Sequence, residues 1–218
     1  MQKTHDLTQP FRPGMPRMKF MPEPVFEVLQ ELDERRCKIS QLHMCTHLGT
    51  HVDAPAHYVA GGKPISAYPL EHFIVPAVVC PGDVGARGLI STECVKGFDI
   101  LPGDAVLFST GWGEKSQESS YYDHPYLTLE LAEWLVERRV SFIGVDFLTP
   151  EMPLELRDAS WNAPIHRTLL ANEVLIIENL RGLSPLAGKR VRLVAAPIMV
   201  EASVEAAPAR VFAFENTT

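Results

Sequence analysis

The chain has 218 residues, 46% of them hydrophobic and 22% charged, so a core of ordinary globular composition can form without cross-links. A formal net charge of −7 argues against the clustered cationic surface that a nucleic-acid or acidic-membrane partner needs. Four cysteines (Cys37, Cys45, Cys80, Cys94) lack CxxC spacing, which predicts reduced, mostly buried thiols and a cytoplasmic setting. The start, Met1-Gln2-Lys3-Thr4-His5-Asp6, is polar and leads into no apolar segment, so no secretory signal is expected. No apolar run approaches the ~20 residues of a membrane-spanning helix.

Residues 1–24 carry Pro10, Pro13, Pro16, Pro22 and Pro24, which predicts an irregular arm. Its Phe11, Met15, Met18, Phe20 and Met21 imply that the arm packs on something. Two extended segments between Val25 and Met44 are expected to pair across a turn near Asp33–Arg36. Beyond a His-rich loop, Ala77–Cys80 reads as a strand ended by Pro81-Gly82-Asp83, and Ser91 as the N-cap of a short helix. Pro102-Gly103-Asp104 is a turn before a strand over Ala105–Thr110. Thr128 caps a helix to about Arg138, with Leu131, Leu135 and Val136 on one face. Phe142–Phe147 reads as a buried strand, Pro164–Asn172 as a helix, and Val174–Ile177, Val191–Ala195 and Arg210–Phe214 as strands. Helices and strands alternate in the middle while strands occupy both ends, which predicts an α/β single domain over residues 1–218 with a mixed sheet. No GxGxxG or GxxxxGK[ST] fingerprint supports a nucleotide site.

The chemistry concentrates in His47-Leu48-Gly49-Thr50-His51-Val52-Asp53-Ala54-Pro55-Ala56-His57. Imidazole and carboxylate are the donors that suit a borderline divalent metal with open coordination positions. Gly49, Thr50, Val52 and Pro55 oppose a helix, so the spacing of His47 and His51 is not that of an HExxH helix. A turn at Gly49 followed by extended chain lets His47 converge with His51, and places His51 and Asp53 on the same side. His47, His51 and Asp53 then form a three-ligand set with room for water and substrate. His57, four residues further along an extended chain, falls outside that set and is placed as a proton carrier. Ser109, Thr110 and Cys45 lack the surroundings of a nucleophile, and no GxSxG elbow exists. Asp146 reads either as support for the site or as an ordinary strand-end carboxylate. Trp112, Trp161, Tyr121 and Tyr122 read as pocket wall or, more often for such residues, core. His5, His43, His72 and His124 are assigned structural or surface places.

The string HLGTHVDAPAH resembles the HxGTHxDxPxH signature of the cyclase-like metal-dependent hydrolase family, which includes bacterial kynurenine formamidase and isatin hydrolase. Asp6-Leu7-Thr8-Gln9-Pro10, the stretch Pro102–Trp112 and Ile143-Gly144-Val145-Asp146 resemble further family segments, so the likeness covers nearly the whole chain. It implies a swivelling β/β/α fold and one or two divalent ions, Zn²⁺ or Mn²⁺, per chain. By the same likeness His47, His51 and Asp53 hold the first metal, and Asp53 bridges to a second held by His166 and Glu178. His57 is then the catalytic acid/base. Read without the family, neither His166 nor Glu178 stands out. The implied activity is cleavage of a C–N bond in a small amide, formamide or lactam; alternatives are an arylformamidase acting on N-formylkynurenine, a lactone hydrolase or cyclase, and a non-catalytic binding protein. A homo-oligomer, dimer or tetramer, is the family expectation, with the arm a candidate for exchange between subunits. Where formamidase-type members carry a Trp-Pro-Gly-Asp-like element, this chain reads Phe11-Arg12-Pro13-Gly14-Met15-Pro16-Arg17-Met18, which puts N-formylkynurenine in doubt and assigns the arm to the substrate pocket.

Overall fold

The computed structural model describes residues 3–200 and 203–215; Met1 and Gln2 of the polar start, and the last three residues of the expected 1–218 domain, lie outside them. In chain order the first strands are β1 (Thr4–Asp6), β2 (Val25–Gln30), β3 (Ile39–His43), β4 (His51–Asp53), β5 (Ile74–Pro81) and β6 (Leu89–Ile90). They are followed by β7 (Ala105–Ser109), β8 (Tyr126–Leu127), β9 (Phe142–Val145), β10 (Leu175–Glu178), β11 (Arg190–Pro197) and β12 (Ala206–Glu215). Two α-helices, α1 (Leu129–Glu137) and α2 (Pro164–Ala171), lie between β8 and β9 and between β9 and β10.

The apolar runs near residues 77, 105, 142 and 175 become the centre of one mixed sheet. There β5, β7, β9 and β10 are neighbours and run parallel. The full order is β1-β12-β11-β5-β7-β9-β10-β4, and β4 also pairs with β12, so the sheet closes on itself as a barrel. Strand β12 accommodates this by offering one edge first to β4, at Ala206–Pro208, and then to β1, at Phe212–Phe214.

Period-two alternation sorts the side chains into two cores. Ala77, Val79, Ala105, Leu107, Leu175 and Ile177 fill the barrel interior with Val52, Leu193 and Val211. Val78, Val106, Phe108, Ile143 and Ile176 face outward and are covered by Leu131 and Leu135 of α1 and Ile165, Leu169 and Leu170 of α2. The parallel strands are thus buried on both faces, which is why their sequences are continuously apolar rather than alternating. The interior is narrow. A Cβ on Gly144 would lie 2.5 Å from Leu107 Cδ2 and 2.8 Å from Leu180 Cδ1.

The helix signals act as read. Thr128 Oγ1 accepts from Leu131 N at 3.2 Å to cap α1, and Pro164 opens α2 at a position with no N–H to satisfy. Ser91 caps a single 3₁₀ turn, Thr92–Val95. The mixed α/β fold expected from the sequence is the fold observed.

Two local expectations, on the arm and on the chain after Asp53, are corrected, and the expected hairpin is observed. The arm is not irregular throughout, since Thr4–Asp6 is a strand on the edge of β12 and Thr8 bridges Leu180. The β2–β3 hairpin forms, with Asp33 and Arg36 bridged at its turn, but as a separate two-stranded sheet. The chain after Asp53 does not stay extended: Pro55 starts a 3₁₀ turn, Pro55–His57, because its fixed φ suits a first helical position.

Candidate metal centre

Strand β4 supplies two donors by alternation. Val52 points into the barrel, so His51 and Asp53 face the opposite side, toward α2. Antiparallel pairing sets Glu178, the last residue of β10, directly across from His51. Helix α2 lays His166 over the same spot, 4% exposed on its buried face.

The turn before β4 supplies His47. Gly49 adopts φ +63, and a Cβ there would meet Met15 Cε at 2.8 Å and Phe11 Cε1 at 3.0 Å. Glycine is needed both for the left-handed backbone and for the close approach of the arm. Thr50 fastens this turn by accepting from Gln9 N at 2.8 Å and donating to the Asn179 carbonyl at 2.6 Å.

All six residues singled out in the sequence come together. Asp53 lies at the centre. Its Oδ1 is 2.9 Å from His47 Nδ1 and 3.2 Å from His51 Nε2, and its Oδ2 is 3.6 Å from His166 Nε2. Glu178 lies 3.4 Å from His51 Nε2 and 3.3 Å from His166 Nε2. The His57 ring centroid is 4.1 Å from that of His47 and 5.7 Å from that of His166. Donor atoms of His47, Asp53 and His57 lie within 4.8 Å of one another, as do those of His51, Asp53 and Glu178. The 3₁₀ turn at Pro55 therefore brings His57 closer to the donors than an extended chain would.

Two carboxylate and carbonyl acceptors orient the imidazoles. His51 Nδ1 donates to the Gly49 carbonyl at 2.7 Å, and His166 Nδ1 lies 3.0 Å from Glu151 Oε1. Each ring thus presents Nε2 to the centre, the arrangement that holds a metal-ligating histidine in one tautomer. Glu151 also accepts from His166 N at 2.9 Å, and Glu205 receives Thr46 Oγ1 at 2.8 Å and His47 Nε2 at 3.2 Å.

The donor set fits a cation. His51 Nε2, both Asp53 carboxylate oxygens and Glu178 Oε1 are buried without a hydrogen-bond partner among the described residues. Four orphaned atoms in one spot would be costly unless a common partner satisfies them. The electrostatics agree. Burial opposes charge on His51, yet Asp53 and Glu178 outweigh it and lift the imidazole to about 9. Burial is likewise outweighed at His166, held well above the usual range by Asp53, Glu151 and Glu178. Asp53 is held well below the carboxylate range, because His51 and His47 override its burial. The centre thus draws in positive charge, and a divalent cation meets that demand. His57 behaves differently: burial lowers it to about 4 despite the pull of Asp53, so its ring is neutral near pH 7.

A cavity of about 170 Å³ opens on this centre, lined by His57, His166 and Glu178 together with Tyr58, Arg157 and Trp161. Met18, Phe20 and Met21 of the arm close one side of it. A neighbouring cavity of about 200 Å³ shares Met18 and Leu148 with it but reaches none of the donors. Of the aromatics weighed in the sequence, Trp161 reaches the site cavity. Trp112 is core, its Nε1 donating to the Tyr121 carbonyl at 3.0 Å, and Tyr121 is fully buried with its hydroxyl on Asn179 Oδ1 at 2.9 Å. Asp146 is not at the centre; it accepts from Thr110 N at 2.9 Å and Gly111 N at 2.8 Å and pins the loop after β7. Sequence reading missed Glu151, Glu205, Tyr58 and Arg157. No local motif marks Glu151, Glu205 or Arg157, since each meets the site through a long-range contact, whereas Tyr58 directly follows His57 and its ring lies 4.4 Å from it.

The Cyclase family model matches residues 5–152. The kynurenine formamidase of Erythrobacter litoralis is 30% identical over 197 residues, covering 89% of this chain and 86% of the relative. A solved structure described as a predicted metal-dependent hydrolase from Bacillus stearothermophilus is 30% identical with a TM-score of 0.80, covering 99% of this chain and 100% of that one. Isatin hydrolase A from Ralstonia solanacearum superposes with a TM-score of 0.89 at 23% identity, over 99% and 92% of the two chains, a likeness of fold alone. By sequence match, fold and relatives together, the chain belongs to the cyclase-like metal-dependent hydrolase family.

Proposed function

We propose that this protein hydrolyses the C–N bond of a small amide, formamide or lactam at a Zn²⁺ or Mn²⁺ centre of one or two ions per chain. The observation that carries the proposal is the set of four orphaned donor atoms on His51, Asp53 and Glu178, beside a cavity of about 170 Å³ that Glu178, His47 and His166 line. His47, His51 and Asp53 would hold the first ion, and Asp53, His166 and Glu178 a second. Such an ion, when bound, polarises a carbonyl as a Lewis acid and acidifies water at neutral pH.

The chain's own residues do the rest. Glu151 and the Gly49 carbonyl keep Nε2 of His166 and His51 turned inward. Tyr58 and Met21 line the cavity beside the donors. A neutral ring nitrogen of His57 takes the proton from the attacking water and returns it to the departing nitrogen. A formamide is favoured by the 30% identity to a kynurenine formamidase. The arm's own lining of the cavity supports an acyl or aryl group different from that of N-formylkynurenine; a lactone remains the alternative for the same chemistry.

A cytoplasmic homo-oligomer completes the proposal. Its support is the β2–β3 hairpin, a two-stranded sheet with Phe26, Leu29, Leu32 and Leu42 all exposed. Such a hairpin is marginal alone, and a second copy of the chain would cover it. Among the described residues no helix is long and apolar enough to cross a membrane.

The test assays protein loaded with Zn²⁺ or Mn²⁺ on formanilide, a benzo-fused lactam and a lactone, beside His57→Ala. The expected result is amide hydrolysis, with His57→Ala keeping its metal while turnover falls ~10²–10⁴-fold. No turnover with either metal removes the hydrolase reading and leaves a binding protein. Loss of metal from His57→Ala would instead make His57 a ligand, the reading favoured by its place within 4.8 Å of the His47 and Asp53 donors.

A further inference from the structure

His47 meets the centre differently from the other two imidazoles. His51 and His166 turn Nε2 toward Asp53, whereas His47 turns Nδ1 toward it, at 2.9 Å. Its Nε2 faces the other way, to Glu205 Oε1 at 3.2 Å. His47 lies in the turn before β4, so no strand pairing steadies it. Its ring packs on His57, with centroids 4.1 Å apart, and lies edge-on to His51 at 5.1 Å. Stacking of this kind sets the plane of the ring but not which nitrogen carries the proton.

That choice decides whether His47 can ligate. A neutral imidazole has one N–H and one lone pair. Asp53 alone would draw the proton to Nδ1 and block the lone pair that a cation needs. Glu205 is the competing acceptor on the other edge of the ring, and a proton held there on Nε2 leaves Nδ1 open. The fold places Glu205 firmly for this. Its carbonyl accepts from Ala54 N at 2.9 Å, the Val204 carbonyl accepts from Ile65 N at 3.1 Å, and Ala206 pairs with Asp53. Thr46 Oγ1 donates to the same Oε1 at 2.8 Å, which ties the carboxylate to the turn that carries His47.

Resting on the metal-centre reading above, we infer that Glu205 is a positioning residue for the first ion, holding the proton of His47 on Nε2 so that Nδ1 is free to ligate. The first ion thus depends on the β11–β12 connection, 158 residues away from His47 in the chain, while the His166 side of the centre does not.

The test uses Zn²⁺ alone as the probe. Its affinity is measured by competition with a chelator for wild type, Glu205→Gln and Glu205→Ala, beside nitrogen-resolved NMR spectra of protein carrying isotope-labelled histidine. In zinc-loaded wild type, His47 should show a protonated Nε2 and a zinc-bound Nδ1, the reverse of His51 and His166. Glu205→Ala should weaken zinc binding by ~10–100-fold and move the His47 proton to Nδ1 or into exchange between the two nitrogens, with the His166 signals unchanged. Glu205→Gln, whose amide oxygen still accepts, should keep the wild-type pattern and lose affinity only several-fold. Wild-type His47 protonated on Nδ1 overturns the inference without any variant. So does Glu205→Ala with wild-type affinity, or with weakened affinity but an intact His47 pattern, since the latter is general loosening. If the zinc-loaded protein hydrolyses no amide, the hydrolase reading fails separately, and the affinities and nitrogen signals still decide the role of Glu205.

Discussion

Asp53 has no room for error, because one carboxylate faces three imidazoles from three different elements at 2.9–3.6 Å. The residues that aim those imidazoles matter almost as much as the ligands. Glu151 is 2% exposed and engages both the backbone N and Nδ1 of His166 through a single oxygen. Replacing the carboxylate by an amide keeps the shape but weakens its hold on the imidazole and lowers the basicity of Nε2. Glu151→Gln should therefore cut metal affinity by about 10–100-fold, the usual cost of removing such a partner, with little change in fold. Competition with a chelator of known affinity measures it. Affinity equal to wild type would show that His166 needs no such orientation.

At the scale of elements, the loop after β7 is held by a buried charge rather than by packing alone. Asp146 closes β9 and receives both amides of the Thr110–Gly111 turn. Burial lifts its carboxyl from 3.8 to about 6, against the opposing pull of those hydrogen bonds. A carboxyl raised on folding holds a proton that the unfolded chain has released, so stability falls as pH rises from about 4 to about 6. Asp146→Asn keeps an acceptor for the two amides and offers an N–H₂ to Thr110, but never ionises. Relative to wild type, its Tm should improve steadily across that window and then level off; the shift of about two units bounds the effect at ~3 kcal/mol. Thermal melts at half-unit steps of pH read this directly. A difference independent of pH would mean that Asp146 folds fully charged.

For the whole molecule, the barrel closes where β12 reaches β4, but β2 and β3 stay outside it with apolar side chains on both faces. Phe26 and Leu42 sit opposite each other in that hairpin, 48% and 46% exposed. Wild type should sediment as a dimer or tetramer, and the double variant Phe26→Glu/Leu42→Glu should shift toward monomer at micromolar concentration while keeping its far-UV signal. A monomeric wild type would remove the hairpin as a subunit contact. A variant that stays assembled would move the contact elsewhere.

Much of this protein was legible before folding was considered. Gly49 between two histidines announced a turn, and the spacing of His51 and Asp53 announced a shared face, because strand alternation is a local property. Thr128, Ser91 and Pro164 marked helix starts for the same reason: a cap answers to its own first turn. What stayed hidden depends on contacts between distant parts of the chain. Glu178, named in the sequence through the family likeness alone, meets His51 through the antiparallel register of β10 and β4, and Glu151, which the sequence did not mark, meets His166 through the fold of the loop after β9. Pro55 could be read as a brake on extension, but the 3₁₀ turn that returns His57 toward His47 is secured by the Ala54 carbonyl accepting from His57 N at 2.9 Å and the Lys63 carbonyl accepting from Ala56 N at 3.0 Å. The sequence alone determined the donor chemistry and the strand on which half of it lies. Tertiary structure decided which donors converge, how they are oriented and what lines the cavity, because register and closure of the barrel are set by the whole sheet and by no single segment.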